Sequence, residues 1–236
     1  MQSVWRRVLT LTRIANVPHP QSYTHPQWDG PGTVRTVRSA VRAMVREAHN
    51  PGDRVVFVTS SHGSGDGRGS SFLCLLPDPE EGTTPGERQG SYMDHELAAD
   101  LSQGGANTAQ NFVFIDACYS GGLIEELLDS LPNVVGTTTC TRKGYGYDDA
   151  GTHSGAWTNG FLTCSLSRQV FENLDLARVF VNAFAKYVAA HPNRGDRPCF
   201  FGRSVKNPSP VNTEEANSSL LPMGAYMSHE WLAPIP

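Results

Sequence analysis

The chain has 236 residues, 39% of them hydrophobic and 18% charged, with a formal net charge of −4. That is enough apolar material for one substantial core, and the negative balance speaks against a general nucleic-acid binder. No apolar run approaches the length of a membrane span, and Arg6 and Arg7 precede no long apolar segment, so neither membrane insertion nor a secretory signal is expected.

In chain order, Val8 to Thr12 predicts a first strand, and the Pro/His/Gly-rich stretch from Asn16 to Gly32 predicts a loop. Val34, Val37, Val41, Met44, Val45 and Ala48 then recur at helical spacing. Arg35, Arg38, Arg42 and Arg46 fall on the opposite side, which reads as a solvated helix face in preference to a site for an acidic partner. Val55 to Thr59 is an apolar strand that runs through Ser60 and Ser61 into His62 and Gly63. The Gly63, Gly65, Gly67 and Gly69 series that follows lacks the Lys-Ser/Thr end of a phosphate-binding loop and reads as a flexible loop. Phe72 to Asp78 follows, and Met93 to Leu101 has a helical pattern.

Phe112 to Asp116 is a second apolar strand, ending in Ala117-Cys118-Tyr119-Ser120-Gly121-Gly122. Asn133 to Thr139 reads as a further strand, and Thr141 to Ala156 as an exposed polar loop. Leu176, Val179, Phe180, Ala183, Phe184, Tyr187 and Val188 mark an amphipathic helix whose apolar stripe packs on the sheet. Residues 1–205 form the expected domain. The Asn/Pro/Ser-rich residues 206–236 form a C-terminal tail, packed on the surface or partly disordered.

His62 and Cys118 carry the chemistry. Each stands just beyond an uninterrupted Val/Phe/Ile run, the pattern of a strand buried on both faces, and active sites collect at the carboxyl ends of parallel strands. The stretch between them leaves room for a crossover that makes the two strands neighbours. An imidazole beside the thiol can take its proton, and the thiolate is the nucleophile. Gly63 removes a Cβ where a scissile carbonyl approaches, and its N–H with that of Cys118 forms an expected oxyanion hole. Gly121 and Gly122 permit a tight exit. The plain alternative is a structural His and a small buried Cys. The five cysteines, Cys74, Cys118, Cys140, Cys164 and Cys199, are odd in number and contain no C-x-x-C pair, which suits a reducing compartment. Gly-x-Ser-x-Gly, the mark of a serine-hydrolase elbow, does not occur around Ser64 or Ser120.

In this order and these contexts, the His62 and Cys118 segments resemble the caspase-like cysteine peptidases, the group of legumains, metacaspases and bacterial caspase-family proteins. The resemblance extends to Pro51-Gly52-Asp53-Arg54, Phe72 to Asp78, Met93 to Leu101, Asn133 to Thr139, and Gly155-Ala156-Trp157-Thr158 leading into Phe161-Leu162. It implies an α/β fold, a three-layer caspase-like sandwich with a mainly parallel central sheet. It also implies a strand and helix ahead of Val8 to Thr12, for which this chain has no room. A truncated start, a rearranged segment, a partner chain or a second copy completing the sheet edge are the expectations there.

The implied activity is a cysteine endopeptidase acting on a peptide or protein substrate, in the cytoplasm, with no nucleic-acid or membrane partner. Asp116 matches an acidic pocket residue of metacaspases, which implies cleavage after Arg or Lys; its alternative is a strand cap. Thr137 and Thr138 are expected to wall the same pocket, and Trp157 to lie in the segment that carries the substrate backbone. Legumains resemble this chain in Gly-x-Trp, but their acidic residue before the Trp is Ala156 here, and no arginine pocket for aspartate is evident. The resemblance implies no cofactor for the chemistry and no metal at the dyad. Ca²⁺ activation stays open, with Asp78, Asp94 and Glu125 as candidate ligands against the alternative of solvated surface acids. The competing function is an inactive caspase-like scaffold or regulator.

Overall fold

The computed structural model describes residues 11–12, 30–48, 53–66, 69–78, 90–103, 109–149, 154–165, 176–194, 197–203 and 210–213. Strands β1 (Leu11–Thr12) and β2 (Gly30–Pro31) pair in parallel as a separate two-stranded ribbon. Of the expected Val8 to Thr12 strand only these last two residues are described, while Gly30 and Pro31, read as loop, contribute an extended pair instead. Helix α1 (Val34–Glu47) starts at Thr33, whose side-chain oxygen accepts from the Thr36 N–H at 3.2 Å. Its buried face is Val34, Val37, Val41 and Val45, as the spacing predicts.

Two of the four arginines of the α1 stripe, Arg38 and Arg42, correct the reading of a solvated face, while Arg35 and Arg46 are exposed as that reading expects. Next along the chain come β3 (Arg54–Ser60), β4 (His62–Gly65), β5 (Ser71–Cys74), β6 (Ser91–Met93) and α2 (Asp94–Ser102). Asp100 of α2 is 0% exposed. It accepts from Arg38 Nε at 2.8 Å, from Arg42 Nε at 2.7 Å and from the Tyr92 hydroxyl at 3.0 Å, and Arg38 also reaches Glu96 at 2.6 Å. A carboxylate taken out of water needs such compensation, and periodicity along α1 alone could not show where the acid was.

The remaining elements are β7 (Gln110–Asp116), a 3-10 turn (Ser120–Leu123), α3 (Ile124–Ser130), β8 (Val134–Thr138), β9 (Asp148–Asp149), β10 (Ser154–Gly155), α4 (Ala156–Ser165), α5 (Leu176–Ala190), β11 (Cys199–Arg203) and β12 (Val211–Asn212). The central sheet has the order β12-β11-β8-β7-β3. Strands β3, β7 and β8 are parallel, β11 is antiparallel to β8, and β12 is antiparallel to β11. A smaller antiparallel sheet has the order β4-β5-β6.

Alternation along the strands explains why their sequences are apolar throughout. Val113 and Ile115 of β7 join Val55, Phe57 and Phe201 in a core with the buried faces of α1, α2 and α3. Phe114 joins Val135 and Phe200 in a second core with Trp157 and Phe161 of α4 and Phe180 of α5. Strands β7 and β8 are buried on both faces, whereas β3 buries Val55 and Phe57 on one face only; burial of each such apolar side chain contributes about 1.5–3 kcal/mol. Among the described residues β3 is an edge of this sheet, with Val58 62% exposed.

Three further differences concern local signals. The glycine series after His62 begins as strand β4, paired with β5, because Ser71 to Cys74 offers it a partner edge. Strand β11 has no alternating pattern that announces it. The sheet also passes Arg203: Val211 and Asn212, within the stretch read as tail, pair with Gly202 and Phe201. Residues 214–236 lie outside the described residues.

Candidate active site

Registration of β3 against β7 sets the site. Ser60 pairs with Asp116 at the end of the ladder, and the Ser61 N–H donates to the Asp116 carbonyl at 3.0 Å. His62 and Cys118 each stand two residues past that last pair, at the carboxyl ends of adjacent parallel strands. Gly63 lies directly on the nucleophile segment: a Cβ there would overlap the Cys118 carbonyl oxygen and stand 3.0 Å from the Ala117 Cβ. Only glycine allows that approach.

The turn carrying Cys118 is tightly held. Tyr119 is in the left-handed region at φ 59°, alone in this among the described non-glycine residues. Its N–H donates to the Gly144 carbonyl at 2.9 Å, and its carbonyl accepts from the Ser71 hydroxyl at 2.9 Å and the Gly122 N–H at 3.0 Å. Ser71 is itself anchored, its N–H donating to Asp94 at 2.8 Å. Cys140, buried behind the turn, donates its thiol to the Ala117 carbonyl at 3.3 Å and stands 3.5 Å from the Ser120 hydroxyl. Burial pushes the Cys140 thiol up to about 11, which keeps it protonated and unreactive beside the partly exposed Cys118.

The Cys118 thiol points to the Gly146 carbonyl at 3.7 Å. Its backbone N–H has no backbone acceptor among the described residues, which leaves that donor open to a ligand. The His62 ring is exposed and forms no hydrogen bond to the thiol.

Asp116, at the end of β7 two residues before Cys118, is 6% exposed. Burial raises its pKa above the usual aspartate range; the Thr158 and Thr139 hydroxyls work against that rise, and the Asp148 charge adds to it. The Thr158 hydroxyl donates to its carboxylate, and Gly155 sits so close that a Cβ there would overlap Oδ2. The contrast with the other buried aspartates is chemical. Asp100 has two arginines and Asp78 faces Arg35, its Oδ2 accepting the Arg35 N–H at 3.0 Å, while Asp116 has no cation among the described residues.

The other sequence candidates fall into two groups. Thr137, Thr138 and Trp157 are buried with internal partners: the Trp157 indole N–H donates to the Thr137 hydroxyl at 3.2 Å, and the Thr138 hydroxyl to the Cys140 carbonyl at 3.1 Å. Trp157 begins a helix and packs edge-on against Tyr187 and Phe180. All three side chains are buried, and the Trp157 segment is helical from Ala156. The candidate calcium ligands are apart. Asp78 serves α1, Asp94 holds Ser71 and His95, and Glu125 pairs with Arg142 at 3.1 Å. Among the described residues no three His, Cys, Asp or Glu side chains converge as a metal site.

Sequence reasoning missed Thr139 and Gly146. Both are placed by contacts to the Cys118 turn that no local pattern encodes. No protein-family model and no curated protein matches the chain. Among the described residues no helix is long and apolar enough to cross a membrane.

Proposed function

We propose that the protein is a cysteine endopeptidase of the caspase-like kind, cleaving after a basic residue. The observation that carries this is the equal offset of His62 and Cys118 past the last β3–β7 pair, with Gly63 pressed on the nucleophile segment. In this reading the His62 imidazole takes the Cys118 thiol proton as the thiolate attacks the scissile carbonyl. The resulting oxyanion accepts from the N–H groups of Cys118 and Gly63. His62 then returns the proton to the leaving amine, and a water molecule, deprotonated by His62, hydrolyses the thioester. Asp116 supplies the preference for Arg or Lys, since a buried carboxylate whose partners, the Thr158 and Thr139 hydroxyls and the Thr158 N–H, are all uncharged gains most from a cationic ligand.

A thiol-directed peptide probe with a basic residue before its warhead tests the proposal. Stoichiometric labelling of Cys118 that is lost in His62→Ala supports it. Labelling of another cysteine, or none, overturns it. A second reading, an inactive scaffold, is favoured by one observation: among the described residues β3 is a sheet edge, with Val58 exposed. It predicts no Cys118-dependent turnover.

A further inference from the structure

We propose that Asp148 is a specificity-determining residue that joins Asp116 in selecting arginine over lysine, an inference that rests on the peptidase reading above. The argument begins with the ribbon of β9 and β10. Asp148 is the register partner of Gly155, and Gly155 is the residue pressed on the Asp116 carboxylate. The Ala156 N–H donates to the Tyr147 carbonyl at 2.8 Å and closes the ribbon. A two-residue strand so placed lays Asp148 over the acid it did not neighbour in sequence.

A third oxygen belongs to the same place. The Thr139 N–H donates to the Ile115 carbonyl at 3.0 Å, which fixes Thr139 at the level of the residue before Asp116. Its buried hydroxyl lies beside the Asp116 carboxylate, whose ionised form it favours. Its methyl is 2.8 Å from where a Cβ on Gly146 would stand, so it lies under the segment that meets the Cys118 thiol.

Asp116, Thr139 and Asp148 therefore offer three acceptors from three different elements, with no cation among the described residues to satisfy them. Asp148 is exposed and has no ion pair among those residues, and the neighbouring Arg194 guanidinium is engaged on the Tyr147 ring, 5.3 Å from its centroid. The mutual repulsion of the two carboxylates is consistent with their proximity. A guanidinium carries five N–H donors in a rigid plane and can meet acceptors along two edges at once. An ammonium is a point charge, met by Asp116 alone. Asp148 thus adds binding for arginine and little for lysine.

The test uses the purified full chain and paired peptidyl-coumarin substrates identical except for Arg or Lys before the scissile bond. The wild type is expected to favour Arg by about tenfold or more in kcat/KM, the size of one added charge-assisted contact. Asp148→Asn is expected to lower the Arg value about tenfold through KM and leave the Lys value within about twofold, with Asp148→Glu restoring the preference. Circular dichroism checks that the variants fold. An unchanged Arg/Lys ratio in Asp148→Asn, or no Arg preference in the wild type, overturns the role of Asp148 and leaves the peptidase reading standing. Absence of Cys118-dependent cleavage of either substrate overturns both.

Discussion

Gly63 and Cys118 are locked backbone to backbone: the Gly63 Cα faces the Cys118 carbonyl with no room for a single added carbon. Gly63→Ala must therefore separate the β4 end from the nucleophile turn. The obstacle is main chain, which cannot rotate away, so a loss of about 1–3 kcal/mol of stability is expected. Urea denaturation measures it, and probe labelling of Cys118 is expected to fall in parallel.

Cys118→Ala removes a partly exposed side chain whose one hydrogen bond among the described residues is a weak thiol donation, so the fold should survive while turnover disappears. His62→Ala, on an exposed residue, is expected to cut kcat by about 10²–10⁴ without changing the melting temperature. Steady-state kinetics beside thermal melts check both. Full turnover in Cys118→Ala would point to a different nucleophile.

Asp116 links activity to pH through a folded pKa raised by burial. The folded state holds its proton to higher pH than the unfolded chain does. Stability from this group is therefore greatest below the unfolded value and declines as pH rises through the folded one. Asp116→Asn is accordingly expected to be no less stable than the wild type at neutral pH, while losing cleavage after Arg and Lys. In the wild type, kcat/KM on a basic substrate should fall on the acid side with an apparent pKa above the ordinary aspartate value of about 3.9. A profile flat down to that value would count against a charged Asp116 in the pocket.

Removing Arg38 and Arg42 together leaves the Asp100 carboxylate buried with no cation. Breaking a buried pair from one side is expected to destabilise by about 3–5 kcal/mol. Equilibrium unfolding of Arg38→Ala/Arg42→Ala tests this, and Arg46→Ala, on an exposed residue of the same helix, should stay within about 0.5 kcal/mol of the wild type.

The loop beyond β8 carries two basic residues in different settings. Arg142 is held by Glu125, with 18% of its side chain exposed, whereas Lys143 is open to solvent. A peptidase with basic specificity that processes itself should cut after Lys143 before Arg142. Mass spectrometry of the incubated protein checks this, with Cys118→Ala as the uncut control. Cys118-dependent fragments ending only at Asp148 or Asp149 would refute basic specificity.

Much of the arrangement was legible locally. Val55 to Thr59 and Phe112 to Asp116 announce strands, but only the second is covered on both faces, since Val58 of the first is exposed. The helical repeats of Val34 to Val45 and Val179 to Tyr187 reappear as the buried faces of α1 and α5. Those features depend on residues within a few positions of one another, which is why pattern alone carries them. His62 and Cys118 could be named for the same reason.

What the tertiary structure decided depends on partners distant in the chain. The glycines after His62 form a strand only because β5 lies beside them, and Trp157 is core because α5 and β8 meet it there. Arg38 and Arg42 turn inward because Asp100 is buried opposite them, against the pull of water on a charged helix face. Asp148 is set opposite Gly155, which presses on Asp116, by a two-residue ribbon that no propensity favours. In each case the deciding term is the burial of one group by another far away in sequence, and that energy exists only once the chain has folded.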